Sequence, residues 1–127
     1  MTQRHEIDPD RNLIAVEVGG TLAADSVLAL RDRICADPRY RDGMNQVWDF
    51  SQVDDVAVAH ADLRTMIERQ SRGAFEQRVR CALVAPQDAA FGLGRMYEAL
   101  SDEPDLEIGV FRDRASALEW VDSPDPQ

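Results

Sequence analysis

Residues 45–60 have the sequence NQVWDFSQVDDVAVAH. The apolar residues at its start predict a short buried strand over residues 46–50, and the acidic residues that follow predict a loop leading into a helix. Five polar residues gather on the outgoing side of this strand: Asp49, Ser51, Asp54, Asp55 and His60. Ligands and partners of open α/β sheets engage at the carboxyl ends of strands, so this junction is the first candidate for a functional site.

Strands and helices alternate on both sides of this stretch. The predicted strands cover residues 4–7, 13–18, 46–50, 80–84 and 106–111. The first two predicted helices cover residues 23–36 and 59–72. The third helix follows Asp88 and includes Leu100, and the fourth is capped by Asp113 and ends at Val121. Gly19-Gly20 is expected to break the second strand, and Gly73 to cap the second helix.

The resulting order of elements is ββαβαβαβα. After an opening hairpin, alternation of strands and helices implies parallel neighbours joined by right-handed crossovers. The sequence therefore predicts one α/β domain over residues 1–121, with a mixed five-stranded sheet and helices packed on it. Residues 122–127 are acidic and broken by proline, which predicts a frayed tail.

The charge balance narrows the possible functions. The 127 residues carry a formal net charge of −10, and all 14 basic residues are arginine. Without lysine the chain has no Schiff-base nucleophile and no P-loop lysine. An acidic protein is also a poor ligand for nucleic-acid backbones and anionic membranes, so neither a nucleic acid nor a membrane is an expected partner.

No metal, cofactor or catalytic group is predicted. Cys35 and Cys81 are expected to be buried free thiols, because they form no disulfide framework or Cys-x-x-Cys motif. The acidic residues of the junction are expected to be solvated rather than to bind a cation. Ser51 has no histidine in a recognisable triad context, so the chain is not expected to be an enzyme. A cytoplasmic location is expected, since no signal peptide or membrane span is evident.

Three stretches resemble a known family. They are Val16-Glu17-Val18-Gly19-Gly20-Thr21-Leu22, Asp49-Phe50-Ser51-Gln52-Val53, and Val110-Phe111-Arg112-Asp113 with Ala117-Leu118. Together they resemble the SpoIIAA-like fold of STAS domains, found in anti-sigma factor antagonists and in cytoplasmic parts of sulphate transporters. The resemblance implies a STAS-like fold and a role in protein interaction or regulation.

The chain departs from those antagonists at their switch. In them an Asp-Ser-Ser-Gly segment carries the serine that a partner kinase phosphorylates, and here the corresponding positions are Ala57, Val58, Ala59 and His60. Alanine and valine cannot carry a phosphate, so the switch is not transferred. The closing segment, with Gly92-Leu93 before it, resembles small bacterial SpoIIAA-like proteins of no assigned activity, which are more distantly grouped by fold with Sec14-type lipid-binding proteins.

Two functions are favoured over a third, a hydrolase that uses the acidic loop, which would require convergent ionisable groups with perturbed pKa values. The first is a non-enzymatic interaction domain that presents the acidic junction to another protein or to a second copy in a homodimer. The second is a carrier or sensor of a small apolar or lipid-like ligand, held in a crevice beneath the last two helices. Four residues are the candidate lining of that crevice: Phe91, Met96, Tyr97 and Trp120. Gly92 and Gly94 are expected to pack against the sheet or to allow a ligand close to the helix.

Overall fold

The computed structural model describes residues 2–71, 78–101 and 105–123. Its strands and helices follow the predicted order ββαβαβαβα. In chain order they are β1 (Thr2–Asp8), β2 (Leu13–Ala23), α1 (Ala24–Ala36), β3 (Asn45–Ala57), α2 (His60–Ser71), β4 (Val79–Val84), α3 (Asp88–Leu100), β5 (Leu106–Phe111) and α4 (Arg114–Asp122). In the described part of the chain, no helix is long and apolar enough to cross a membrane.

The five strands form one mixed sheet in the order β1-β2-β3-β4-β5. Strand β1 pairs antiparallel with β2, and the other three pairs are parallel. This confirms the predicted fold class. Helices α1, α2 and α3 each connect one parallel strand to the next strand in the sheet, always in the same direction across the sheet. Because such connections are right-handed, the three helices lie on the same face. Helix α4 contacts β3, β4 and β5 from the other face.

The two faces of the sheet bury separate apolar clusters. The cluster on the three-helix face is the larger and includes Val16, Leu30 and Trp48. The cluster under α4 is smaller and includes Val47, Val84 and Ala117. Alternate residues of a strand point to opposite faces, which explains why neighbours such as Val47 and Trp48 belong to different clusters.

The predicted acidic loop is wrong, because residues 51–57 continue β3. Strand β2 also continues through Gly19-Gly20, where the prediction ended it. Gly20 has a φ of 78° and the pairing shifts register at this point, so the glycine pair forms an irregularity and pairing with β3 resumes as far as Ala23↔Ala57. Glycine tolerates a positive φ, which is why the strand bends here rather than ending.

The continued strands form a two-stranded ribbon, Gly20 to Ala23 beside Val53 to Ala57, that extends past the rest of the sheet. Strand β4 pairs with β3 only between Gln46 and Asp49. Beyond that point the Gln87 side-chain amide donates hydrogen bonds to two carbonyls of the β3 edge, Ser51 O at 3.0 Å and Val53 O at 2.8 Å.

Several smaller predictions also have outcomes. Asp113 caps α4, since its carboxylate accepts a hydrogen bond from the Ser116 backbone N–H at 2.8 Å. Cys81 is buried as expected, whereas Cys35 is exposed because α1 turns that side chain away from the sheet. Gly73 and most of the predicted tail, residues 124–127, lie outside the described residues.

The two α3 glycines differ in their surroundings. A Cβ at Gly94 would lie 3.1 Å from Val110 Cγ1, which confirms the expected packing against the sheet. A Cβ at Gly92 would meet nothing within 4 Å. Gly92→Ala should therefore raise the free energy of unfolding by up to about 1 kcal/mol, the helix-propensity difference between the two residues.

Urea denaturation of the two alanine variants tests this difference. Gly94→Ala is the matched control. Alanine has the same advantage in helix propensity at this position, but its Cβ must displace Val110, which opposes the gain in stability. A Gly92→Ala variant no more stable than the unsubstituted protein would contradict the expectation.

Candidate functional site

Asp49 lies at the point where β4 stops pairing with β3. Its side chain is only 12% exposed. The carboxylate accepts hydrogen bonds from the Ser51 backbone N–H at 2.8 Å, from the Ser51 hydroxyl, and from Arg114 Nη1 at 3.1 Å. Burial by itself raises the pKa of Asp49, but the Ser51 hydrogen bonds and the Arg114 charge outweigh it and lower the pKa below the usual value. Asp49 thus ties α4 to the sheet as a carboxylate.

The remaining residues of the acidic junction do not converge on Asp49. Asp54 and Asp55 are both exposed on the ribbon, where the pairing of β3 with β2 shifts register. His60 is exposed at the start of α2. Among the described residues, no group of three or more His, Cys, Asp or Glu side chains could hold a metal ion. The five candidates therefore separate into three places: the mostly buried Asp49–Ser51 pair, the exposed Asp54 and Asp55 of the ribbon, and His60 on α2.

The four residues predicted to line an apolar crevice also separate, and this expectation is corrected. Tyr97 packs against the large cluster, whereas Trp120 packs against the small cluster on the opposite face. Phe91 lies beneath the Arg112 guanidinium, whose central carbon is 3.9 Å from the ring centroid, and Met96 is 42% exposed. The reason is that α3 and α4 cover different faces of the sheet, so no crevice lies beneath both.

A cavity does lie between the sheet and the three helices α1, α2 and α3. Its volume is about 90 Å³ and it is partly enclosed. Apolar side chains make up most of its lining, and representatives from each element are Val27, Trp48, Phe50, Leu63, Leu83 and Leu93. Of the four predicted lining residues, Tyr97 alone is among those that line this cavity. The volume is smaller than the few hundred cubic ångströms typical of ligand pockets.

Five lining residues carry side-chain hydrogen-bonding groups, namely Arg31, Gln46, Trp48, Cys81 and Tyr97. Burial raises the pKa of the Tyr97 hydroxyl to about 12, with the nearby Arg31 charge acting in the opposite direction. Burial likewise raises the pKa of the Cys81 thiol to about 12. Both groups are therefore neutral at pH 7. The Trp48 indole N–H donates to Gln46 Oε1 at 2.9 Å, which occupies that acceptor.

Sequence reasoning missed Arg31 as a site residue, and two signals in the sequence point to it. Arg31 follows Val27 by four residues, so both side chains lie on the same face of α1. That face also carries Leu30 and Ile34, which are buried. An arginine beside the apolar stripe of a helix is therefore placed at the margin of the core, and in this fold the margin borders the cavity.

Comparison with known proteins identifies the fold. No family model and no curated protein matches the sequence. The chain is similar in structure to an uncharacterized protein of the DUF3478 family with a SpoIIAA-like fold, from Shewanella loihica PV-4. The TM-score is 0.58 at 16% sequence identity, over 94% of this chain and 92% of that chain. The chain therefore has a SpoIIAA-like fold.

Proposed function

We propose that this protein is a non-enzymatic carrier or sensor of a small, mainly apolar ligand, bound in the cavity between the sheet and helices α1, α2 and α3. The observation that carries the proposal is the cavity itself, a partly enclosed apolar space of about 90 Å³ between the sheet and three helices. Protein interiors are packed like organic crystals and contain few voids larger than a water molecule. An apolar space of this size is therefore a candidate ligand-binding site.

The shape of the cavity limits its occupant. The cavity is partly enclosed and connects to solvent on one side. The small volume limits the ligand to a short chain or a single ring, and the open side allows a longer ligand to continue into solvent.

Filling the cavity gives the direct test. Ala90 is buried and lines the cavity from α3. Ala90→Leu should abolish ligand binding, because the added carbon atoms occupy the ligand's space. The same substitution should raise the free energy of unfolding of the ligand-free protein by about 1 kcal/mol, as cavity-filling substitutions commonly do.

The readout is native mass spectrometry of protein purified from its own host, followed by denaturing analysis of what co-purifies. The matched control is Ala89→Leu, because Ala89 is the neighbouring residue on α3 and is exposed. A small molecule present in the original protein and in Ala89→Leu, and absent from Ala90→Leu, supports the proposal. A ligand retained by Ala90→Leu, or a protein that carries none and binds no apolar probe, contradicts it.

A second candidate function is protein interaction through the acidic ribbon. The observation that favours it is the exposure of Asp54 and Asp55 on strands that extend past β4. The strongly acidic chain favours a basic or neutral partner, and the β1 edge offers a surface for a second copy.

The test is a pull-down from the host, with sedimentation analysis for self-association. Loss of the partner protein in the double variant Asp54→Asn, Asp55→Asn supports this function, and retention of that partner contradicts the ribbon's role.

A further inference from the structure

We infer that the ligand of this cavity is an organic anion, a small carboxylic acid with an apolar body, whose carboxylate binds the Arg31 guanidinium beside the Tyr97 hydroxyl. This inference rests on the proposed function, because it names the chemical class of the molecule that occupies the same cavity.

The first argument is the position of Arg31. It is the only charged residue among the described residues that line the cavity, and it is half-buried. Within the described chain no carboxylate lies within the 4.0 Å ion-pair distance of its guanidinium. Eight of the twelve arginines whose side chains the structure describes contact a carboxylate within this distance, and of the other four, Arg31 is the one that lines the cavity. A cation at the margin of an apolar space gains most from an anion placed in that space.

The pairing of the other arginines sharpens this contrast. Exposed arginines elsewhere in the described chain contact carboxylates at 2.8 to 3.0 Å, and they include Arg4 with Glu17, Arg11 with Asp122, Arg39 with Asp37 and Arg112 with Asp88. Except for Asp37, which is 14% exposed, the side chains in these pairs are at least 45% exposed, and an exposed ion pair contributes little. Arg31 borders the cavity, where such a pair is worth more, yet the protein supplies it with no carboxylate.

The second argument is that the polar groups in the cavity are hydrogen-bond donors. The Tyr97 hydroxyl is neutral at pH 7, so it retains a proton to donate. Arginine can only donate, and its planar guanidinium matches the two oxygens of a carboxylate. The side-chain carbonyl of Gln46 is already bonded to Trp48. A ligand that matches these donors presents hydrogen-bond acceptors. An ammonium group presents none, and an alcohol presents one oxygen where a carboxylate presents two.

Three six-carbon probes with the same tail test the inference: hexanoate, 1-hexanol and hexylammonium. Binding at pH 7 is measured by isothermal titration calorimetry and by the fluorescence of Trp48, which lines the cavity. Hexanoate is expected to bind at least tenfold more tightly than either of the other probes. Arg31→Met should remove this preference and leave 1-hexanol binding within about twofold of its original value, since removing one charge-assisted hydrogen-bond partner costs about a factor of ten or more.

Two further variants control for the charge and the fold. Arg33→Met removes an exposed arginine two residues along α1 and should leave the hexanoate preference intact. Arg31→Lys keeps the charge without the planar fork, so it should retain part of the preference, and it replaces Arg31→Met if that variant fails to fold.

The outcomes separate the inference from the proposed function. If 1-hexanol binds as tightly as hexanoate, and Ala90→Leu abolishes both, the cavity binds apolar ligands and the carboxylate inference is overturned. If hexanoate retains its preference in Arg31→Met, Arg31 is not the anion's partner and the inference is likewise overturned. If none of the probes binds and the protein from its host is ligand-free, the proposed function fails and the inference fails with it.

Discussion

Replacement of Arg80 by alanine should lower the free energy of unfolding by about 3 kcal/mol, the range seen when one partner of a buried charged network is removed. Arg80 is the one buried charged residue in the described chain, at 7% exposure. It lies in β4, between two strands of the sheet. Equilibrium urea denaturation at pH 7, with the variant and the original protein in parallel, measures the loss.

The size of the effect follows from the number of groups that Arg80 satisfies. Its Nη1 donates to Trp120 O at 2.9 Å and to Ser123 O at 2.6 Å, the final carbonyls of α4. Its Nε lies 3.4 Å from a Glu107 carboxylate oxygen, and its guanidinium carbon is 5.4 Å from the centroid of the Trp120 ring. A cation at the C-terminus of a helix also interacts favourably with the helix dipole. Alanine leaves those carbonyls without this donor and frees the end of α4 from the sheet.

Two variants make this prediction specific. Arg78→Ala removes an exposed arginine of the same segment, which also pairs with Glu107, and should cost less than about 0.5 kcal/mol. Arg80→Lys keeps the charge but cannot reach the same acceptors with one planar group, so roughly half of the stability loss is expected. Equal losses in Arg78→Ala and Arg80→Ala would show that the network under α4 does not hold the helix.

Local patterns in the sequence were sufficient for the fold. The strand over Leu106–Phe111 is predicted at its observed bounds, and the Asp113 cap is predicted with its function. The error at Gly19-Gly20 has a physical cause, because a glycine pair either ends a strand or bends it. The choice between these depends on whether a neighbouring strand continues alongside, and β3 does. That is tertiary information, which the local sequence does not contain.

The candidate site was less accessible to sequence reasoning for a similar reason. Tyr97 and Trp120 lie on amphipathic helices whose apolar residues are easily recognised, but the sequence pattern does not state which face of the sheet each helix covers. For Arg31, helical spacing predicts its position beside Val27. The cavity that Arg31 borders is formed by the packing of three helices, and the spacing of residues in one helix does not predict that packing. Arg80 carries a clearer signal, a single charge inside the apolar strand Val79–Val84, which calls for buried partners.

The second large effect is expected at Asp49, and it depends on pH. Asp49→Ala should lower the free energy of unfolding by about 2 kcal/mol at pH 7, because hydrogen bonds to a charged group contribute about 1.5–3 kcal/mol. The substitution leaves the Ser51 N–H without its acceptor and removes the 3.1 Å contact of Arg114, which keeps a longer contact to Glu17 at 3.6 Å. Asp54→Ala is the matched control, since Asp54 is an exposed aspartate of the same strand, and it should change stability by less than about 0.5 kcal/mol.

The pH dependence follows from the direction of the pKa shift. The folded protein holds the pKa of Asp49 below its usual value, so the folded state favours the carboxylate more than the unfolded state does. The stabilisation is therefore complete above the unfolded pKa of about 3.9 and is lost as the pH falls through the lower folded pKa. The stability difference between the original protein and Asp49→Ala should shrink as the pH falls below about 4. Only the ionised carboxylate of Asp49 forms an ion pair with Arg114. If the stability difference between the two proteins stays constant as the pH falls, Asp49 acts through packing and not through its charge.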